Sequence, residues 1–367
     1  MIPYFLLIFL SAGFPFVVYQ SRGAISASSY DYLVKKRNEM TVFLFFLGLF
    51  ILLSLRDITV GKDLSTYKFI YEICSAIPFK KLEDMQWELG YTVFNKIVSM
   101  FFNNYRFFLI LTAFITLFPI YRLYYQEKRY SFLLVVLFIN MPCFLMLFSG
   151  LRQAIAISIG VIVYMLMENK RYILSALFIL LAISFHISAV ILILLYPMYF
   201  FKIKTKHLLY IIPAMLIVYV LRVPILSFII GFMPSHYIAF YGKVQQTGAF
   251  GMMILFLIFL AFSFVILDET VMSKKDYFMR NVLLIATGFQ FFVPIHGLIQ
   301  RASYYFLIFV PVAILSIVNA PKRRLKNISD LAVVVMGLFF TLYFFCNAYF
   351  SNDNLLDVFP YKFFWSD

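Results

Sequence analysis

The chain predicts an all-α, polytopic integral membrane fold, on three observations. Of 367 residues, 63% are hydrophobic and 13% are charged, whereas soluble domains run at roughly 45–50% and about 25%. Apolar stretches of about 20 residues, enough to cross ~30 Å of hydrocarbon, recur along the whole length. The charge is lopsided, with 31 Lys and Arg against 17 Asp and Glu and a net +14. The bases gather in short clusters between apolar stretches, the pattern of cytoplasmic loops rather than of a nucleic-acid-binding surface. These features exclude a water-soluble enzyme, a disordered scaffold and a disulfide-rich module. Cys74, Cys143 and Cys346 have neither pair nor metal spacing.

The first stretch, Ile2 to Tyr19, has no basic segment before it and no small-residue cleavage site after it, so it reads as a span and not a signal peptide. Six basic clusters follow. They are Arg22 with Lys35, Lys36 and Arg37; Arg122 with Lys128 and Arg129; Lys170 with Arg171; Lys202, Lys204 and Lys206; Lys274, Lys275 and Arg280; and Lys322, Arg323, Arg324 and Lys326. Placed inside, they hold 19 of the 31 bases, as the positive-inside rule requires. Consecutive inside loops need an even number of crossings between them. Residues 131–167 and 281–320 each fit one hairpin. Residues 41–121 and 207–267 fit two spans each, with external loops at about 56–104 and 222–250. With a first and a last span the chain has about twelve transmembrane or re-entrant helices, both termini external, in one domain over residues 1–367.

The interval 172–201 is too short for two full spans. Each leg of about 15 residues rises only ~22 Å at 1.5 Å per residue, so a re-entrant pair is expected there. Breaks at that depth are tolerated where protein or a wet cavity covers them.

The midpoints of the hairpins are polar. The first falls at Ser149-Gly150-Leu151-Arg152-Gln153, the second between His186 and Ile187, the third at Gln300-Arg301, and Arg56 and Asp57 close the second span. Ionisable residues at membrane depth are costly and face a cavity or a partner. Snorkelling span-end arginines and a core histidine are the plain alternatives. Collected on the face that should be poor in bases, Arg56, Arg152 and Arg301 point to an anionic ligand, because the guanidinium fork suits phosphate oxygens. Gly61 allows a tight turn. Asp63 then either caps the helix beginning near Leu64 or serves as a sugar-hydroxyl acceptor or general base. Trp87 reads as an interface anchor and Glu88 beside it as a second candidate base. His236, Tyr241, Lys243 and His296 also fall outside, without an assigned role. No Walker loop, HExxH, GxSxG or Rossmann fingerprint is present.

At these same residues the chain resembles the EpsG family of Wzy-like bacterial polysaccharide polymerases. The matching pieces are Arg56…Gly61-x-Asp63…Tyr67, Trp87-Glu88-Leu89-Gly90-Tyr91, SGLRQAIA from Ser149 to Ala156, SFHISA from Ser184 to Ala189, RASYYF from Arg301 to Phe306, and Phe359-Pro360-Tyr361-Lys362-Phe363. The resemblance implies a glycosyltransferase of GT-C-like architecture in the bacterial plasma (inner) membrane. It would join undecaprenyl-diphosphate-linked oligosaccharide repeats at the outer face, with the lipid bilayer, a chain-length regulator and a flippase as partners. It also implies substrate-binding roles for Tyr67, Gln153 and Tyr304. Arg152 and Arg301, assisted by Arg56, would bind the diphosphate, and Asp63, Glu88 or His186 would be the base, with His186 alternatively bonded to phosphate. No cofactor, nucleotide sugar, metal or nucleic acid is expected. A flippase of lipid-linked oligosaccharide and an O-antigen ligase are the rival readings; the first should carry internal repeats, and none is visible.

Overall fold

The apolar runs fold as helices, and the polar and proline-bearing punctuation between them sets where each stops. The computed structural model describes residues 2–20, 27–102, 104–127, 129–231, 249–320, 326–350 and 355–366. His236, Tyr241 and Lys243, and with them most of the expected 222–250 loop, lie outside the described residues, as do Arg22, Lys128, Lys322, Arg323 and Arg324. The described residues contain no β-strand; one isolated antiparallel bridge joins Arg56 to Phe363. The chain divides into two compact units, residues 1–192 with 330–367, and residues 193–329.

In the first unit, α1 (Ile2–Gln20) precedes α2 (Ala27–Leu55), which stops at the polar pair Arg56-Asp57. Two shorter helices, α3 (Leu64–Ala76) and α4 (Leu89–Phe101), separate α2 from α5 (Tyr105–Tyr125). The α5 start is fixed by Asn104, whose side chain accepts from the Arg106 N–H at 2.8 Å, the usual way an orphan first-turn donor is satisfied. Next come α6 (Ser131–Ile139) and α7 (Pro142–Ser149), bent by 64°. Pro142 at the first turn of α7 has no N–H to extend α6. Gly150 then joins α7 to α8 (Leu151–Glu168), which is tied to α5 by the Ser158 hydroxyl donating to Thr116 O at 2.7 Å.

The helix α9 (Tyr172–Phe185) returns along α8 and ends at His186, where the backbone is extended (φ −158°, ψ 119°). A 3-10 helix, Ile187–Leu194, follows. Its start is bonded to Glu88, which pairs with Arg152 on the first turn of α8. Its Leu192 packs on Gly160, two turns farther along α8. The chain therefore reverses at His186.

The C-terminal helix Lys326–Phe350 leads to a closing segment. Asp57 N–H donates to Lys362 O (2.9 Å), Phe364 N–H to Leu55 O (3.0 Å), Gly61 N–H to Asp357 O (3.0 Å) and Lys62 N–H to Leu356 O (2.9 Å). The Tyr361 and Tyr4 hydroxyls add bonds to Leu52 O (2.8 Å) and Val358 O (3.0 Å). The loop after α2 is thus held by the far end of the chain.

The second unit contains α10 (Leu195–Phe200), the bent pair α11 (Leu208–Val220) and α12 (Arg222–Ile230), α13 (Ala249–Val265), α14 (Lys274–Gln290), and the bent pair α15 (Gly297–Leu307) and α16 (Val310–Val318). Ser273 and Asp276 form a capping box on α14. Buried Arg280 donates to Glu269 (2.8 Å), Ile203 O (3.0 Å) and Ser263 O (2.6 Å), while its Nε makes no hydrogen bond among the described residues. Burial works to raise the Glu269 carboxyl, but hydrogen bonds from Thr205 and Arg280 outweigh it and hold the group below the usual range.

Four described helices are long and apolar enough to cross a membrane, or seven spans if each bent pair is one, against the about twelve segments expected. Four further helices are apolar but shorter over their described residues: Ile2–Val17, Tyr172–Phe185, Ile187–Phe200 and Phe250–Val265. The third hairpin midpoint is corrected. Arg301 lies inside α15, and the turn is at Phe291–His296. The basic cluster is itself the first part of α14, so the helix pair begins at Lys274 and its middle shifts to residue 296.

Candidate functional site

Three breaks in the first unit meet at one place: the loop 56–63, the α7–α8 junction at Gly150, and the turn at His186. Gly61 makes the first contact possible. Its φ is +113°, and a Cβ there would lie 2.2 Å from the Phe148 carbonyl oxygen. The loop therefore lies flat on the end of α7. Gly61→Ala is expected to destabilise the unit by about 1–3 kcal/mol, read as a lowered unfolding temperature of the detergent-solubilised protein.

That approach brings Asp63 to Ser149. The Asp63 N–H meets Ser149 Oγ at 3.3 Å, and the same hydroxyl faces Asp63 Oδ2 at 3.4 Å. Asp63 occupies the N-cap position of α3 but makes no side-chain cap hydrogen bond. This corrects the capping expectation: its carboxylate is turned toward α7 rather than back over its own helix. Tyr67, one turn on, is buried and packs edge-on against Tyr91 at 5.7 Å.

Arg152 stands on the first turn of α8, whose N-cap Gly150 supplies no side-chain cap. The first N–H groups of a helix lack intrahelical acceptors and carry the positive end of its dipole. A guanidinium beside them makes this end suited to an anion. Arg152 pairs with Glu88 Oε2, its guanidinium lies 6.0 Å from the Tyr67 ring centroid, and its buried Nε makes no hydrogen bond among the described residues. Glu88 also accepts the Ile187 N–H on Oε1 at 3.2 Å. Both its oxygens are thereby committed to donors. The α4 backbone must come close for this, and Gly90 allows it, since a Cβ there would lie 2.7 Å from Ser184 O.

His186 sits at the turn beside Glu88's backbone partner. The Ser188 N–H reaches its Nδ1 at 3.3 Å and Ser188 Oγ lies 2.6 Å from the same atom. An N–H donor makes Nδ1 the acceptor, so in the neutral ring the proton is on Nε2.

The remaining expected residues are differently placed. Arg56 is 1% exposed, donates to Leu53 O at 3.0 Å and lies over the Phe148 ring at 5.7 Å. Gln153 is likewise 1% exposed. Neither presents its polar end at the surface of the unit. Arg301 and Tyr304 belong to the second unit, where Arg301 is exposed and Tyr304 is buried. Among the described residues no three of His, Cys, Asp and Glu are grouped so as to hold a metal ion.

Two contributors were missed in the sequence. Ser149 carried no role, yet it links Asp63 to the α8 junction. The closing segment was noted only as a matching motif, yet it holds the loop that bears Asp63. The matching motif's position at the far end of the chain was the one available signal.

The EpsG family model matches residues 39–363, a stretch that includes Arg56, Asp63, Glu88, Ser149, Arg152, His186 and Arg301. No curated protein and no solved structure matches the chain.

Proposed function

The chain belongs to the EpsG family, a Wzy-like polysaccharide polymerase family, and from that membership we propose that it polymerises oligosaccharide repeats carried on undecaprenyl diphosphate. The reaction would take place at the outer face of the bacterial plasma membrane, in a GT-C-like arrangement of about twelve membrane-embedded helices with both termini external. The observation that supports this most is the Arg152 head group at the uncapped start of α8, with Asp63 and His186 delivered to the same region by two other chain breaks.

The proposed step is an inverting displacement. The acceptor hydroxyl of the incoming repeat loses its proton to Asp63 and its oxygen bonds to the anomeric carbon of the growing glycan. The bond from that carbon to the lipid diphosphate breaks, and the diphosphate leaves with the electron pair. Arg152, the α8 N-terminus and the Nε2–H of His186 stabilise the departing charge, the kind of electrostatic contribution that dominates many transfer reactions. Asp63 is the preferred base among the three candidates. Glu88 has both oxygens engaged, and His186 directs an acceptor nitrogen at Ser188. Arg56 acts from behind Phe148 as a buried positive charge and Gln153 as interior support. Roles for Arg301 in diphosphate binding and Tyr304 in substrate binding rest on the sequence pattern.

Two tests follow from this assignment. A deletion strain is expected to accumulate single lipid-linked repeats, measurable by mass spectrometry of extracted lipids; normal polymer in that strain contradicts the reading. Glu88→Gln keeps an acceptor for Ile187 but removes the charge that holds Arg152. It is expected to lower kcat/KM about ten- to a hundredfold, the worth of a charged hydrogen bond.

A further inference from the structure

A cavity in the first unit is lined by none of the catalytic candidates. It is an open cleft of about 730 Å³, within the range of roughly 300–1,000 Å³ usual for small-ligand sites. Its ring-bearing walls are Tyr71, Tyr105 and Phe364. Tyr71 and Tyr105 are fixed against each other at 5.7 Å, and Phe364 lies under the Arg106 guanidinium at 4.2 Å. Rings held in this way offer apolar faces without losing further freedom on binding.

The charged side chains of the cleft are Asp57, Glu72, Lys68 and Arg106, two of each sign. Each already has a polar partner nearby. Lys68 faces Glu72 at 3.8 Å, Asp57 accepts from the Thr59 N–H and hydroxyl at 3.0 and 2.8 Å, and Arg106 donates to Ser54 O and Arg56 O at 2.9 and 2.7 Å. Burial works to raise the Asp57 carboxyl, but the Thr59 bonds outweigh it and hold it below the usual range. Two acids and two bases sum to no net charge. The α5 start that carries Arg106 is capped by Asn104, unlike the start of α8, so a free anion such as a diphosphate meets neither net charge nor an uncapped helix end. A dense set of fixed donors and acceptors between ring faces instead matches a neutral polyhydroxylated ligand.

The cleft is joined to the Asp63 region through one wall. The Tyr105 hydroxyl donates to the carbonyl of Leu64, the residue after Asp63, at 3.3 Å, and Arg106 holds the Arg56 carbonyl at the start of the same loop. A glycan extending from a bond made at Asp63 would meet this cleft across the loop 56–64.

We propose that the cleft is a carbohydrate subsite, which binds sugar residues of the glycan away from the bond being formed. This rests on the polymerase reading and deepens it. Its consequence is that chain length is sensed at the cleft, so lesions there shorten the polymer without abolishing the first transfer.

The test uses the full-length protein in detergent or liposomes. The probe is a mixture of free reducing oligosaccharides, released by partial acid hydrolysis from the source cell's own polysaccharide. Binding is followed by saturation-transfer NMR, and polymer length by gel ladder. Glu72→Trp fills the cleft from a side chain that is 60% exposed, and Lys68→Ala removes a donor that is 46% exposed; neither position carries core packing. Both variants are expected to weaken oligosaccharide binding about tenfold or more, as loss of charged hydrogen bonds and ring contact would, and to shift the ladder to short products. Arg152→Ala is expected to bind the oligosaccharide as the wild type does. Unchanged binding and unchanged ladders in both cleft variants, with active wild type, overturn the subsite alone. Loss of oligosaccharide binding in Arg152→Ala also overturns it, by placing the sugar elsewhere. Failure of the wild type to lengthen lipid-linked repeats overturns the polymerase reading and the subsite with it.

Discussion

Arg152→Ala is expected to reduce polymer formation by about 10²–10³-fold, the usual effect of deleting one donor aimed at developing negative charge. Three features make the effect this large. The guanidinium is placed at the start of an 18-residue helix whose N-cap has no side chain. It is oriented by Glu88, which is itself tied to the His186 turn. Its Nε is buried and makes no hydrogen bond among the described residues. Arg152→Lys retains the charge but not the planar fork, and a bidentate or stacked arginine is poorly replaced by a point charge. The lysine variant is therefore expected to fall between wild type and alanine. Rates are measured on lipid-linked repeats after equal membrane insertion has been established for all three proteins. Equal rates would remove Arg152 from the reaction.

Asp63→Asn is expected to lower kcat by about 10²–10⁴-fold, the range for loss of a positioned base, with KM for the lipid-linked donor little changed. The amide oxygen still accepts from Ser149, and the turn depends on the Gly61 backbone and its bond to Asp357, not on the carboxylate. The fold around the site should therefore survive. An asparagine variant that turns over at the wild-type rate would pass the base to another group. A combined Asp63→Asn, Arg152→Ala protein should be little worse than the more damaged single variant, because residues acting in one step are non-additive.

Much of this site was legible in sequence because membrane depth makes polarity conspicuous. His186 was placed at the turn of a short hairpin by counting residues between basic clusters, and the helix ends at Phe185. Arg152 was placed by the same arithmetic, and α8 begins at Leu151. The same count does not locate the turn near Arg301, because Lys274, Lys275 and Arg280 start a helix instead of forming a loop. A basic cluster marks a membrane face but does not distinguish a loop from a capped helix end. The orientation of Asp63 was not legible either. An N-cap position normally implies a capping side chain, and only the long-range contact with Ser149 overrides that. The burial of Arg56 has the same cause. It follows from Phe148 and the closing segment around Leu356–Phe364, residues far away in the chain that no local pattern connects to it. Local periodicity reports helices and their faces; it does not report which loop end covers another.

One reconstitution bears most directly on the central proposal. Purified protein in liposomes is given a defined undecaprenyl-diphosphate-linked repeat, with no nucleotide sugar, and the products are weighed by mass spectrometry. The expected result is a ladder of lipid-linked glycans spaced by one repeat, with one free undecaprenyl diphosphate released per addition, and no ladder from Arg152→Ala. Substrate that crosses the bilayer without gaining mass, or a ladder of equal yield from the alanine variant, would contradict the assignment.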